Sequence, residues 1–296
     1  MNTSPTYPLI YNPASGGAGE RRARRAIRAL ESLGCRVEAL PTSGVGSATS
    51  LARRAAKREV PRLLAAGGDG TINEVVNGLA GSDTELAIIP TGTANVLAME
   101  LGVPLKIPDA CRLACEGDSV RVDLGLAGDR YFTLMAGVGF DALVIKNVNP
   151  VLKKSIRRAA FPVTGLVTFI QQDLPLLQVS AAGREVEGYF VIVSNSRYYG
   201  GKFGPAPEAS MTDGRLDVCV LKGKGLQEML NFWVAALRQS HVDSGLADYF
   251  QAEEVWISCP GGDPVPVQTD GEIIGELPLK VTVAPAALRV CAGRVL

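Results

Sequence analysis

The 296-residue sequence has few of the residues that mark a zinc site or a nucleic-acid-binding protein. It contains one histidine, His241, and six cysteines, of which only Cys111 and Cys115 are closely spaced. A structural zinc site needs roughly four such ligands around one ion, so this composition disfavours one, and we expect His241 at the surface. The 30 basic and 30 acidic residues balance, and no nucleic-acid-binding motif is present, so the sequence predicts no nucleic-acid partner.

Long apolar runs and a leader sequence are also missing. The most apolar of the long uncharged stretches, residues 159–172, is shorter than the roughly 20 residues that span a bilayer, and it contains Pro162. Residues 1–7 have neither the basic start nor the apolar run of a signal peptide. We therefore expect a cytoplasmic protein whose cysteines are buried thiols rather than disulfides.

Strand-like and helix-like segments alternate in the first half of the chain. Strands are predicted at residues 9–11, 37–40, 63–66 and 86–89. Helices are predicted at residues 20–33, 47–58, 71–79 and 94–101. Because parallel strands need a crossover between them, this alternation predicts a parallel sheet with helices on both faces.

The second half has a different sequence pattern, in which short strand-like runs lie between turn signals such as Asp213-Gly214 and Asp270-Gly271. Strands are predicted at residues 131–136, 176–181, 189–194, 216–221, 255–259 and 281–283, and helices at residues 151–171 and 226–239. Short strands joined by tight turns predict an antiparallel β-sandwich. We therefore expect an α/β domain over residues 1–125 and a sandwich over residues 126–284, with the tail from about residue 285 returning to the first domain.

Three glycine-rich loops follow predicted strands of the first half. They contain Asn12, Ser15 and Gly16, then Gly67-Gly68-Asp69-Gly70-Thr71, then Thr91-Gly92-Thr93. Ligands of open α/β sheets bind beyond the carboxyl ends of the strands, where glycine loops and helix N-termini offer backbone N–H groups to phosphates. Asp69 is informative, because a carboxylate beside phosphates is repelled by them unless it serves a metal ion, a water network or a proton transfer. For any one loop alone, an ordinary turn that connects a strand to a helix remains an alternative.

Taken in order, these loops and later motifs resemble the catalytic domain shared by diacylglycerol kinases, sphingosine kinases and ceramide kinases. The motifs are Asn12-Pro13-x-Ser15-Gly16, Gly67-Gly68-Asp69-Gly70-Thr71, Asn73-Glu74-Val75-Val76-Asn77-Gly78-Leu79, Gly92-Thr93-Ala94-Asn95, Val122-Asp123-Leu124-Gly125, Gly137-Val138-Gly139-Phe140-Asp141-Ala142, Thr212-Asp213-Gly214-Arg215-Leu216 and Gln268-Thr269-Asp270-Gly271-Glu272. They span nearly the whole chain, whose length looks most like the bacterial soluble lipid kinases.

The resemblance implies an NAD kinase-like α/β domain, a C-terminal β-sandwich, and ATP with Mg²⁺ in the cleft. It implies that Asp69 stands near the phosphates and the catalytic Mg²⁺, and that Glu272 accepts the proton of a lipid hydroxyl. The residues that it assigns to the nucleotide are Asn12, Ser15, Gly16, Thr42, Gly67, Gly68, Asp69, Gly70, Thr71, Ile72, Asn73 and Thr93. A structural Mg²⁺ would lie at Asp213 with the backbone carbonyls of Ser210 and Arg215.

One position departs from the family pattern. Many relatives have aspartate after the Gly-Thr-x-Asn segment, whereas this chain has Val96, which leaves Asp69 and Asp123 to hold the metal network. The sequence thus predicts an ATP-dependent lipid kinase acting on diacylglycerol or a related membrane lipid. Two alternatives stay open, namely an NAD kinase-like nucleotide kinase and a catalytically weak nucleotide or lipid sensor.

A basic and apolar segment, residues 153–171, bears on contact with the membrane. Lys153, Lys154, Arg157 and Arg158 precede a run rich in phenylalanine, valine and leucine. Such a segment either docks on an anionic membrane surface or packs on the sandwich with a basic start exposed. Peripheral contact with the inner face of the membrane is one of these two expectations.

Overall fold

The computed structural model describes residues 6–15, 18–147, 174–199, 204–242 and 244–293. Its first half alternates strands and helices as the sequence predicts. The elements in order are β1 (Thr6–Tyr11), α1 (Gly19–Ser32), β2 (Arg36–Pro41), α2 (Ser47–Lys57), β3 (Arg62–Gly67), α3 (Asp69–Leu79), β4 (Glu85–Pro90), α4 (Val96–Glu100) and α5 (Ile107–Glu116).

The first four strands form a parallel sheet in the order β2-β1-β3-β4. The apolar side chains of β3 and β4 are buried on both faces, which is the pattern of strands covered by helices on each side. Their carboxyl ends, at Gly67 and Pro90, therefore lie side by side at one edge of the sheet. All the glycine-rich loops leave from this edge.

The described residues of the second half form short strands and two helices. These elements are β5 (Ser119–Ala127), β6 (Arg130–Phe132), β7 (Met135–Gly139), α6 (Phe140–Asn147), β8 (Leu177–Ala181), β9 (Arg184–Gly188), β10 (Phe190–Ser194), β11 (Leu216–Leu221), α7 (Leu226–Leu237), β12 (Ala247–Ala252), β13 (Glu254–Ser258), β14 (Pro266–Thr269), β15 (Glu272–Glu276) and β16 (Leu279–Cys291). The predicted helix at residues 151–171 lies outside the described residues.

Six of these strands form an antiparallel sheet in the order β12-β11-β10-β7-β14-β15. Side chains alternate across it. Val191 and Val193 of β10 pack into the sandwich core against β8, β13 and β16, while Phe190 and Ile192 point to the other face, which α6 and α7 cover. The predicted fold class, an α/β half followed by an antiparallel sandwich, is confirmed.

β16 joins the two halves. It pairs in parallel with β4 at Val290 and Leu86, and antiparallel with β5 and β13. The same hydrogen-bonded sheet therefore runs from the α/β half into the sandwich. The domain boundaries at residues 125 and 126 stay a prediction.

Several sequence predictions are wrong in detail. The run predicted as one strand at residues 131–136 is two strands, β6 in the first sheet and β7 in the second. His241 is fully buried, with its ring between Phe232 and Tyr249 and its Nε2 2.7 Å from the carbonyl oxygen of Pro205. The aromatic side chains that enclose it come from α7 and β12, the elements directly before and after it in the chain, and the packing of these two elements on the sheet buries the ring.

Candidate active site

The glycine-rich loops after β3 and β4 touch backbone to backbone. A Cβ atom on Gly92 would lie 2.4 Å from the Cα atom of Gly68, so a larger residue at either place would separate the loops. The guanidinium of Arg22, on α1, donates a hydrogen bond to the Thr91 carbonyl and ties the third loop to the helix after the first. The edge of the sheet thus forms a compact cradle with backbone N–H groups and the N-terminus of α3 around it.

Asp69 is the first residue of α3 and lies where the second and third loops meet. Its two carboxylate oxygens accept hydrogen bonds from the backbone N–H groups of Asn95 (2.9 Å) and Val96 (2.6 Å). Asp69 therefore fixes the third loop, in which Asn95 has a left-handed φ of 52°. The Val96 side chain is buried, and only its N–H serves this site.

The other residues predicted to bind a nucleotide are distributed around the same edge. The Asn12 carboxamide oxygen accepts a hydrogen bond from Ala14 N–H, and Thr42 N–H donates to the Tyr11 carbonyl, which holds Thr42 beside the first loop. Ser15 and Thr93 lie in the first and third loops, Gly67, Gly68 and Gly70 in the second, and Gly16 falls outside the described residues.

Three more predicted nucleotide residues follow Asp69 and Gly70 in α3. The Thr71 side chain packs on Gly67, where a Cβ atom would lie 2.6 Å from Thr71 Cβ. Ile72 is buried, and its N–H donates to the Gly68 carbonyl within the helix, so neither its side chain nor its N–H faces the cradle. The Asn73 carboxamide points instead toward the sandwich, where it hydrogen-bonds Asp270.

Glu272 comes from the sandwich and faces the second loop. It begins β15, and its side chain is 44% exposed. Arg130 donates a hydrogen bond to one carboxylate oxygen, Oε2. The other oxygen, Oε1, lies 3.7 Å from the position that a Cβ atom on Gly70 would occupy. A carboxylate of the second half is therefore held against the glycine loop of the first.

Asp270, two residues earlier, organises the contact between the two halves. It is partly buried and accepts hydrogen bonds from Asn73 Nδ2 (2.6 Å), from the N–H and hydroxyl of Thr133 (2.8 and 2.9 Å), and from the N–H groups of Leu134 and Met135 (2.9 and 3.1 Å). Burial raises the pKa of Asp270, and the hydrogen bonds oppose that rise. The chain changes sheets at Thr133 and Leu134, so the carboxylate takes up N–H groups there.

The residues predicted to hold a structural Mg²⁺ share one turn before β11. Asp213 is exposed and accepts a hydrogen bond from Arg215 N–H (3.0 Å), while the Ser210 and Thr212 hydroxyls lie 3.2 Å apart. Asp123 is buried beside this turn, and its oxygens accept hydrogen bonds from Gly214 N–H and Ala286 N–H, both at 2.7 Å. Among the described residues, no three histidine, cysteine, aspartate or glutamate side chains are gathered in one place to hold a metal.

Both halves of the chain match known proteins. Residues 6–127 match the model of the diacylglycerol kinase catalytic domain, and residues 135–292 match the YegS C-terminal NAD kinase beta sandwich-like domain. The chain is 32% identical to a diacylglycerol kinase of Bacillus subtilis (strain 168) over 278 residues, which cover 91% of this chain and 90% of the relative. The chain belongs to the diacylglycerol kinase family. A diacylglycerol kinase of Mycobacterium tuberculosis is 29% identical over 96% of this chain and 94% of its own.

Solved structures show the same fold as this member of the diacylglycerol kinase family. A crystal structure of a protein from Bacillus anthracis str. Sterne superposes with a TM-score of 0.82 at 24% identity, covering 99% of this chain and 98% of its own. A diacylglycerol kinase from the same organism gives a TM-score of 0.74 at 20% identity with the same coverage. The β-sheet that continues from the α/β half into the sandwich is thus part of a fold found in other proteins.

Sequence reasoning missed two side chains of the site in this diacylglycerol kinase family member. Arg130 follows the Gly128-Asp129 turn between β5 and β6, and nothing in the local pattern distinguishes it from a surface arginine. Asp270 was part of the resemblance but was given no role beyond its turn. Its position directly before Gly271 and Glu272, in a motif otherwise assigned to chemistry, was the signal that could have found it.

Proposed function

We propose that the chain is an ATP- and Mg²⁺-dependent lipid kinase that phosphorylates a hydroxyl group of diacylglycerol or a related membrane lipid. The observation that carries the proposal is the approach of Glu272 Oε1 to Gly70, since it brings a carboxylate to the glycine loop that would hold the nucleotide phosphates. Membership of the diacylglycerol kinase family supports the reaction class. A cytoplasmic location with contact to the inner face of the membrane belongs to the same proposal.

In this proposal, the backbone N–H groups of the loops and the N-terminus of α3 bind the phosphates of ATP. The lipid hydroxyl lies between Glu272 and the terminal phosphorus, to which the hydroxyl oxygen bonds as the bond to ADP breaks. Glu272 Oε1 accepts the hydroxyl proton, while Arg130 keeps Oε2 engaged and so fixes the direction of Oε1.

The residues present fit the Mg²⁺ that such a kinase uses. Magnesium in phosphoryl-transfer sites is held by one or two carboxylates together with substrate phosphates and water, rather than by an all-protein cage. Each Asp69 oxygen accepts one backbone hydrogen bond and retains a lone pair, so Asp69 would hold the ion that neutralises phosphate charge. Asp213 with the carbonyls of Ser210 and Arg215 would hold a second, structural ion.

The test is a radiolabelled-ATP assay with Mg²⁺ against dispersed diacylglycerol, with NAD as a parallel acceptor. We expect a labelled lipid, and we expect Glu272→Gln to slow its formation by about 10²–10⁴-fold without weakening ATP binding, because general-base catalysis contributes about that much. The matched control is Glu276→Gln on the same strand, whose carboxylate meets Lys146 at 3.8 Å rather than the glycine loop.

Three results would count against the proposal. Label on NAD but not on lipid would identify a nucleotide kinase. ATP binding with no transfer to any acceptor would identify a sensor. A Glu272→Gln variant as active as Glu276→Gln would remove Glu272 from the proton transfer.

A further inference from the structure

The outer face of α7 carries an apolar stripe that nothing in the described part of the chain covers. Leu230, Val234 and Leu237 recur at positions i, i+4 and i+7, which line up on one side of a helix. They are 51%, 48% and 69% exposed. The opposite side of the helix, with Met229, Phe232 and Ala236, is buried on the six-stranded sheet. We call Leu230, Val234 and Leu237 the α7 stripe.

The stripe differs from the outer faces of the other long helices of the described chain. The exposed positions of α1 hold arginines and acids, such as Arg24, Arg28 and Glu31, whose charged groups are well solvated. Other large exposed apolar side chains, such as Leu105 and Trp256, do not form a row along a helix. Three in a row on one helix face are the arrangement of helices that lie in the interface of a bilayer.

The charge around the stripe favours an anionic surface. Residues 222–240 contain three cations, Lys222, Lys224 and Arg238, and a single acid, Glu228. Lys222 pairs with Asp248 of β12 at 2.8 Å, so the positive charge at the two ends of the stripe comes from Lys224, whose Nζ lies 5.9 Å from the Tyr189 ring, and from Arg238. The Glu228 side chain lies over the loop before the helix, where its Oε2 is 2.1 Å from the position that a Cβ atom on Gly225 would occupy. The stripe itself is therefore flanked by basic groups at both ends and has no carboxylate on it, which matches the cytoplasmic face of a membrane rich in anionic lipids.

The layer to which α7 belongs also reaches the strand of Glu272. Phe190 of the six-stranded sheet meets Trp233 of α7 and Phe140 of α6 at ring-centroid distances of 6.2 and 6.3 Å. α6 in turn packs against β14 and β15, the two strands on either side of the Asp270 turn. α7 and α6 thus cover the same face of one sheet, whose edge strand begins at Glu272.

We propose that the α7 stripe is a membrane-docking surface, with an anionic lipid bilayer as its partner. The proposal rests on the proposed lipid kinase function, because a protein that acts on a membrane lipid must reach the bilayer in which that lipid lies. Leu230, Val234 and Leu237 enter the acyl boundary, and Lys224 and Arg238 meet lipid phosphates. Docking by this face brings the α6 and α7 side of the sheet to the membrane.

The experiment uses the two tryptophans of the chain, Trp233 beside the stripe and Trp256 on β13. Trp256→Gln removes a large exposed apolar side chain from the other sheet and leaves Trp233 as the single tryptophan. In that background, Leu230→Asp/Val234→Asp places two carboxylates on the stripe at exposed positions, where the fold tolerates them. Thermal unfolding of each variant checks that the fold is kept.

Flotation with vesicles of phosphatidylglycerol and phosphatidylcholine, without ATP or diacylglycerol, gives the readout. We expect the unsubstituted chain and Trp256→Gln to float equally, and the aspartate variant to partition at least about tenfold less. Brominated acyl chains quench Trp233 in the floating protein, and vesicles of phosphatidylcholine alone bind more weakly. Equal flotation of the aspartate variant, or flotation without quenching of Trp233, would overturn the proposal.

Two further measurements separate this proposal from the others. A dimer of the unsubstituted chain that the aspartates dissociate, with no flotation, would mean that a second copy covers the stripe and would overturn docking. A water-soluble short-chain diacylglycerol should be phosphorylated equally by the parent and the aspartate variant. Flotation that the aspartates abolish, with no lipid phosphorylated under any condition, would support docking while the proposed kinase function fails.

Discussion

The pairing of Arg130 with Glu272 leads to a prediction that a double-mutant cycle can test. Arg130 holds Glu272 Oε2 and also donates to Asn73 Oδ1 at 3.2 Å, so it connects the carboxylate to the helix of the nucleotide loop. Arg130→Met keeps an unbranched side chain of similar reach but removes the guanidinium. The Glu272 carboxylate, 44% exposed, then becomes free to leave the direction of Gly70.

The expected effect on kcat follows from the conformational entropy of the Glu272 side chain, which Arg130 restricts. A glutamate side chain released from one rotamer regains up to about 1.5–2 kcal/mol of conformational entropy. If only the original rotamer is productive, kcat falls by about 10–30-fold. The KM for ATP should change little, because Arg130 touches none of the three loops, and a partly exposed ion pair contributes at most about 1 kcal/mol to the free energy of unfolding.

Steady-state kinetics of the two single variants and of Arg130→Met/Glu272→Gln complete the cycle. A residue that acts only through Glu272 has nothing left to position once the base is gone, so the double variant should be no slower than Glu272→Gln alone. Arg130→Lys should give a kcat between those of the parent and Arg130→Met, since lysine keeps the positive charge but lacks the planar guanidinium group. If Arg130→Met slows Glu272→Gln by the same factor as it slows the parent, then Arg130 acts on the substrate directly and the reasoning is refuted.

Two other predictions concern the cradle and a buried acid. Gly92→Ala should weaken ATP binding and lower the free energy of unfolding by about 1–3 kcal/mol, because the new Cβ would lie 2.4 Å from Gly68 Cα. The control is Gly261→Ala, whose Cβ would meet only the end of a carboxylate at 3.3 Å. Calorimetry that finds the two variants alike would contradict the prediction. Burial raises the pKa of Asp217 from 3.8 to about 6. The folded state therefore keeps the Asp217 proton to a higher pH than the unfolded state, so the contribution of Asp217 to the free energy of unfolding should fall by about 3 kcal/mol as pH rises from about 4 to 6. Asp217→Asn should remove that contribution, which urea unfolding at several pH values measures; the same pH dependence in the parent and in Asp217→Asn would disprove it.

Local pattern was enough to predict the parallel sheet, but not the elements that cross between sheets. Strands β1 to β4 each carry an apolar run ending in a glycine or proline signal, and the structure confirms all four. The helix α5 was missed, since Pro108 in its first turn looks like a break although proline is well suited there. The strand predicted at residues 281–283 is part of β16, in which Pro285 and a register shift between Ala284 and Leu288 interrupt the alternation.

Within the candidate site, local motifs were enough to predict that the glycine-rich loops lie at one edge of the sheet, but not which contacts are made across the chain. The glycine loops and Glu272 carry local signals. Arg130 does not, because its partners are 57 and 142 residues away in sequence and only the folded sheets bring them together. Asp270 accepts the N–H groups that are left where the backbone changes sheets at Thr133, and that change could not be foreseen from a run that looked like one strand.

The placement of β16 has a consequence for the order in which the protein can be assembled during synthesis. Leu86 of β4 pairs with Val290, so this edge of the α/β half stays open until more than two hundred further residues have been synthesised. An open parallel edge is a template for pairing with another nascent chain. Since β16 pairs with β4 only late in synthesis, the β4 edge is open to pairing with another nascent chain for most of translation.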